Sequence, residues 1–174
     1  PKQRCYNGLA AMDGKIYVIG GAEPQDPAQS VRLPQADVLV YDTVTETWLE
    51  DFCPSLPQTR MECTAAAANG RVYVICGVTE ENAGPVLHSV LSWCPGESRW
   101  TEETPCPVAL RQFCSAVIGN VIYCVGGAGS GGSHFVGYDT AASTWVEGLA
   151  FCLNGEQSIE DVDAVGWLFE RPIL

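Results

Sequence analysis

Short apolar runs recur along the chain, and each ends on a glycine-containing pair. Lys15-Ile16-Tyr17-Val18-Ile19 runs into Gly20-Gly21, Arg71-Val72-Tyr73-Val74-Ile75 into Cys76-Gly77, and Val121-Ile122-Tyr123-Cys124-Val125 into Gly126-Gly127. Their apolar positions do not alternate strictly with polar ones, which is the pattern of a strand covered on both faces. A stretch of small and apolar residues precedes each run: Gly8-Leu9-Ala10-Ala11, Ala65-Ala66-Ala67-Ala68, and Ser115-Ala116-Val117-Ile118. Between the two lies Asp13-Gly14, Asn69-Gly70 or Gly119-Asn120. Such pairs tolerate the positive φ of a tight hairpin, so each unit opens with two antiparallel strands. Further on, an aromatic residue is followed seven positions later by tryptophan: Tyr41 and Trp48, Trp93 and Trp100, Tyr138 and Trp145. Each such segment predicts a second strand pair.

The three tyrosines at 17, 73 and 123 are 56 and 50 residues apart. A period near 50 with four short strands is the period of a β-propeller blade. The expected fold is all-β: three four-stranded blades at residues 1–57, 58–108 and 109–152, then a divergent acidic tail at 153–174 that is either disordered or one strand. The glycine pair, the Tyr-Asp at 41–42 and 138–139, and the spaced tryptophan resemble the kelch repeat over roughly residues 4–152. The Ala-rich strand belongs innermost, where blades converge. Trp48 and Trp145 are expected to be buried between blades. The second unit departs from the pattern, with Cys76 in place of the first glycine and Trp93-Cys94 in place of Tyr-Asp. A closed ring of four to eight blades needs roughly 200–400 residues at about 50 per blade. Three blades form an incomplete ring with two uncovered faces, so self-association through them is expected.

Composition narrows the partners. The chain has 174 residues, 47% of them apolar, and a net charge of −12. That acidity disfavours nucleic acid and anionic membrane surfaces. No apolar stretch is long enough for a membrane-spanning helix, and no signal-peptide pattern opens the sequence. The nine cysteines are odd in number and lack a Cys-x-x-Cys pair, so they read as buried small hydrophobes. With no Asn-x-Ser/Thr site, they point to a reducing, cytoplasmic setting.

Candidate chemistry is sparse. Only His88 and His134 could supply an imidazole, and neither has an acid and a nucleophile nearby in sequence. The cysteines recur with the repeat rather than at metal-ligand spacing. The sequence lacks the His and Tyr set of radical copper oxidases. Asp42 and Asp139 precede their tryptophans by six residues without the glycine of the sialidase Asp-x-Gly-x-x-Trp turn. The expectation is therefore no enzyme, no cofactor and no metal.

Arginines are the stronger candidates for binding. Arg4, Arg60 and Arg111 precede the repeat tyrosines by 13, 13 and 12 residues. They either line one rim of the propeller and receive an acidic or phosphorylated peptide, or brace neighbouring loops. The loops after the glycine pairs add Glu23 and Arg32 in residues 22–36, Glu80 in residues 78–87, and His134 after residues 128–133.

Repeats of this spacing resemble the kelch half of the kelch-like proteins, which join a propeller to BTB and BACK regions. That resemblance implies a protein or peptide client, and a cullin ubiquitin ligase engaged through a region outside this chain. The alternative it leaves open is an actin-binding cytoskeletal scaffold.

Overall fold

The computed structural model describes residues 3–26, 31–80, 84–128 and 134–146. Strands β1 (Gly8–Met12), β2 (Lys15–Ile19), β3 (Ala22–Asp26), β4 (Val31–Pro34), β5 (Val38–Asp42) and β6 (Thr47–Leu49) make up the first unit. The second holds β7 (Thr64–Ala68), β8 (Arg71–Ile75), β9 (Val90–Trp93) and β10 (Thr101–Glu102). The third holds β11 (Arg111–Ile118), β12 (Val121–Ala128), β13 (His134–Asp139) and β14 (Thr144–Val146). Three four-stranded antiparallel sheets result, in the orders β1-β2-β5-β6, β7-β8-β9-β10 and β11-β12-β13-β14. The expected tail at 153–174 lies outside the described residues.

The first strands stand innermost, and β7 packs against both β1 and β11. Their small side chains follow from this crowding. A Cβ on Gly8 would come within 2.9 Å of the Ala65 Cβ and 3.1 Å of the Ala65 backbone nitrogen. Farther out the blades diverge, and aromatic rings fill the wider gap. Tyr17 of the first blade meets Trp93 of the second edge-on at 6.1 Å between centroids, and Tyr73 of the second meets Tyr138 of the third at 6.0 Å. Around these pairs, Ile19, Val40, Val72, Val74 and Leu91 pack between blades one and two, and Ile75, Val90, Ile122 and Val136 between blades two and three.

The tryptophans reach backwards. Trp100 donates its indole N–H to the Pro54 carbonyl of the preceding blade at 2.8 Å, and Trp145 donates to Thr104 O at 3.0 Å. This direction corrects the expected burial of Trp48 and Trp145. Trp100 is 8% exposed and Trp145 is half-buried, but Trp48 is 42% exposed, because no described blade stands behind the first.

Two further differences from the sequence reading are local. Residues 22–36 are not a plain loop, because β3 and β4 form a two-stranded ribbon with an irregularity between Pro24 and Asp26. Cys76 adopts the left-handed conformation of the glycine it replaces, with φ of 52° against 59° at Gly20. The second departure, Trp93-Cys94, is compensated in the turn that follows. In blades one and three the Asp42 and Asp139 carboxylates accept the backbone N–H groups of Val44 and Thr45, and of Ala141 and Ala142. In blade two the Glu97 carboxylate accepts the Cys94 N–H at 3.0 Å and both terminal nitrogens of Arg71, at 2.9 and 2.8 Å.

Trp93→Ala should destabilise the fold by about 3–5 kcal/mol, because it empties the seam between two blades. Trp48→Ala should cost only about 1 kcal/mol, since much of that ring is already in solvent. Urea denaturation of the two variants checks the contrast, and equal costs would contradict the packing direction.

The backbone N–H groups of Thr45 and Val44, with Lys15 as a weaker contributor, hold the Asp42 carboxyl below its ordinary 3.8. Its contribution to stability is therefore complete above that value and is lost as pH falls through the lower folded value. Asp42→Asn should flatten the acid limb of a pH–stability profile below about pH 4. An unchanged acid limb would show that the turn draws nothing from the charge.

Candidate binding site

The handover from one blade to the next builds one rim of the arc. There the Gly21 N–H donates to Arg60 O at 2.7 Å and the Gly77 N–H donates to Leu110 O at 2.8 Å. Cys5 pairs with Ala22, Met61 with Val78 and Arg111 with Ala128. These pairings make Arg4, Arg60 and Leu110 equivalent, and they place Arg111 one residue later, beside Cys5 and Met61. The count of 12 rather than 13 residues before Tyr123 is this one-residue offset, and Arg111 does not share the place of the other two arginines.

Arg60 is fully buried. Its Nη1 donates to Cys76 O and Ser89 O, both at 3.0 Å, and its Nη2 to Ser89 Oγ at 2.6 Å. It thus ties the turn after β8 to the residue before β9. Burial lowers the guanidinium's pKa, and the nearby thiols of Cys63 and Cys76 oppose that shift. Arg4 repeats the arrangement: its Nη1 reaches Gly20 O at 3.1 Å and Asp37 O at 3.3 Å, and its Nη2 pairs with the Asp37 carboxylate and, at 3.7 Å, with Glu23. Of the two roles open to these arginines, the bracing one describes Arg4 and Arg60. Both are engaged by their own blades, and neither presents a guanidinium to solvent.

Arg111 is partly exposed and lies 3.8 Å from the Glu62 carboxylate. Glu23 is nearly enclosed beside Arg4. Glu80 is exposed in the second loop. His134 is half-buried and opens β13 opposite Gly126, rather than lying in the loop before it. Arg32 pairs with Pro24 in the β3–β4 ribbon, and its side chain lies outside the described residues. The structure thus brings Arg4 together with Glu23, and does not gather all seven residues into one site.

What it does gather is a set that the sequence reading passed over. Tyr6, Glu62 and Gln112 each lie one position beyond Cys5, Met61 and Arg111. All three have positive φ, at 57°, 55° and 55°. The Glu62 N–H donates to Tyr6 O at 2.8 Å, and the Gln112 N–H donates to Glu62 O at 3.0 Å, so a chain of backbone hydrogen bonds crosses from blade to blade. The Gln112 amide donates to Glu62 Oε1 at 2.9 Å. Tyr6 is 41% exposed, and Gln112 is exposed. An aromatic ring, a carboxylate, an amide and the Arg111 guanidinium therefore share one rim. Groups of these types fix the register of a bound peptide. The sequence signal that could have found them is the glycine pair: alignment on it, rather than on arginine, selects the three positions.

Fold and rim define a class: a β-propeller arc whose blade junctions set unlike side chains along one rim. Residues 3–50 match the Kelch motif. The chain is 27% identical over 130 residues to the Kelch repeat and BTB domain-containing protein 1 of Ectromelia virus (strain Moscow), covering 75% of this chain and 22% of that protein. It is 31% identical over 119 residues to the Kelch repeat protein M-T9 of Myxoma virus (strain Lausanne), covering 68% of this chain and 21% of that protein. The chain thus spans about a fifth of the length of these curated relatives. Among solved structures, that of YjhT superposes with a TM-score of 0.71 at 16% identity, over 88% of this chain and 53% of that one. The chain is a kelch-repeat domain resembling those of BTB–kelch proteins.

Arg60→Ala should cost about 3 kcal/mol, since it strands the buried Cys76 carbonyl that a charged donor now satisfies and removes the donors to Ser89. Arg111→Ala should cost less than about 1 kcal/mol, as for an exposed ion pair. Chemical denaturation measures both, and comparable costs would mean that Arg111 also serves as a brace.

Proposed function

We propose that this chain is the client-recognition part of a cullin–RING ubiquitin ligase adaptor. The observation that carries the binding half of this reading is the rim of Tyr6, Glu62 and Gln112. Their backbones are held by the fold, while their side chains differ in chemistry from blade to blade. Such a rim reads a peptide without any covalent step. The ligase half draws its support from relatives whose names join kelch repeats to a BTB domain. The described cysteines stand as thiols, which suits a cytoplasmic setting.

The test is affinity capture from cell extract with this chain as bait, beside a Tyr6→Ala, Gln112→Ala double variant. The variant should lose captured clients by tenfold or more, while its melting temperature stays within about 2 °C of the parent. Clients captured by the parent should accumulate in cells when cullin activation is blocked. If the double variant captures the same proteins, the rim is not the recognition surface. If the captured proteins are actin filaments whose level ignores cullin, the cytoskeletal scaffold reading replaces the ligase one.

A further inference from the structure

One member of the rim holds a charge that the fold does not satisfy. The Glu62 side chain is only 9% exposed. Its Oε1 accepts the Gln112 amide N–H at 2.9 Å. Its Oε2 is buried and accepts no hydrogen bond among the described residues. The cation beside it is Arg111, whose Nη1 stands 3.8 Å away, beyond hydrogen-bond reach. A buried carboxylate oxygen without a donor is costly, and a charged donor that reaches it removes the cost. Arg111 is 37% exposed and makes only this loose pairing.

The other charges of the rim have the sign that attracts a cation. Arg60 is fully buried and directs its donors to Cys76 and Ser89. Arg4 pairs with both Asp37 and Glu23, so one guanidinium faces two carboxylates. Arg111 is then the one rim arginine with donors to spare, and it already faces Glu62. An acidic or phosphorylated residue drawn to Arg111 would sit beside the Glu62 carboxylate, where like charges repel. A basic residue meets that carboxylate with the favourable sign, on a chain whose net charge is −12.

We propose that the rim selects a basic residue of its client: the client's lysine ammonium or arginine guanidinium donates to Glu62 Oε2, and Arg111 holds that place until the client displaces it. The inference rests on the reading of this rim as a peptide-binding surface, and adds the chemistry of the residue selected. Gln112 holds the carboxylate through Oε1, which leaves Oε2 as the acceptor for the incoming donor. Tyr6, 41% exposed and hydrogen-bonded to Glu62 through the backbone, offers an aromatic surface for the stem of a long basic side chain. Displacement is favourable because a loose 3.8 Å ion pair is exchanged for a hydrogen-bonded one, while Arg111, already partly exposed, returns to water.

An array of random dodecapeptides probed with the labelled chain tests it. Retained peptides should be enriched in Lys and Arg over Asp and Glu. Fluorescence anisotropy with the most strongly retained basic peptide then compares two variants, each first shown by circular dichroism to be folded. Glu62→Gln should lower affinity by about tenfold or more, as for loss of a charge-assisted hydrogen bond. Arg111→Gln should raise affinity, because it removes the competing cation. Opposite signs at two neighbouring residues separate recognition from bracing, since damage to a brace would weaken binding in both variants. Basic peptides that bind Glu62→Gln as tightly as the parent, or Arg111→Gln more weakly, overturn the proposal. Retention of acidic peptides that is lost in Arg111→Gln and kept in Glu62→Gln also overturns it, while leaving the rim a recognition surface. Retained peptides indifferent to Glu62, Arg111 and the Tyr6→Ala, Gln112→Ala double variant, or an array that retains none, overturn the reading of the rim itself and this inference with it.

Discussion

A blade's sheet is apolar on both faces, so it is stable only when other blades stand on either side of it. This requirement sets the residue type at every radius of the arc. Near the axis the inner strands nearly touch, and only Gly8, Ala65 and residues of similar size fit. At mid-radius Ile19, Val74, Ile75 and Ile122 fill an ordinary sheet-to-sheet gap. At the outer edge the gap is wide enough for Trp93 and Trp100, and the indole N–H of Trp100 then needs an acceptor. The backward reach of Trp100 and Trp145 to linker carbonyls satisfies that need and ties each blade to the one before it.

The buried arginines belong to the same architecture. Arg60 satisfies the Cys76 carbonyl in the turn after β8, adds a second donor to Ser89 O beside the Cys76 N–H, and reaches Ser89 Oγ, all from one planar group. Blade three dispenses with this device, since Leu110 stands in the arginine's place. There β11 and β12 are eight residues long, against five for β1, β2, β7 and β8, and their pairing runs through Phe113 with Gly126 to Arg111 with Ala128. A longer ladder thus does by backbone pairing what the guanidinium does in the other blades.

The architecture was legible in the sequence because propeller physics repeats it. Tyr17, Tyr73 and Tyr123 share one register position, and the turns at Asp13, Asn69 and Gly119 all show the positive φ that their residue types imply. What was not legible depended on neighbours or on a single step of register. Trp48 holds the same place in the repeat as Trp100, and the absence of a described blade behind it separates their exposures. Arg111 looked equivalent to Arg60 although it stands 12 rather than 13 residues before its tyrosine, and the backbone pairing turns that single step into a different place on the rim. The β3–β4 ribbon was hidden by its prolines, since Pro24 and Pro34 argue against a ladder that the ribbon forms only as a separate two-stranded piece.

The rim shows why the fold could be read more fully than the proposed recognition surface. Tyr6, Glu62 and Gln112 have unlike side chains, yet their φ values agree within two degrees. Nothing in their residue types asks for a left-handed backbone. The conformation is imposed by the pairing of the preceding residue with the neighbouring strand and by the backbone hydrogen bonds that link Tyr6 to Glu62 and Glu62 to Gln112. The peptide-to-peptide hydrogen bonds hold this backbone under an aromatic ring, a carboxylate and an amide alike. A position held in space that accommodates unlike side chains suits the proposed recognition role. The same unlikeness removes the signature that sequence reading depends on, since repeat analysis finds residues that stay alike and the rim residues are those that do not.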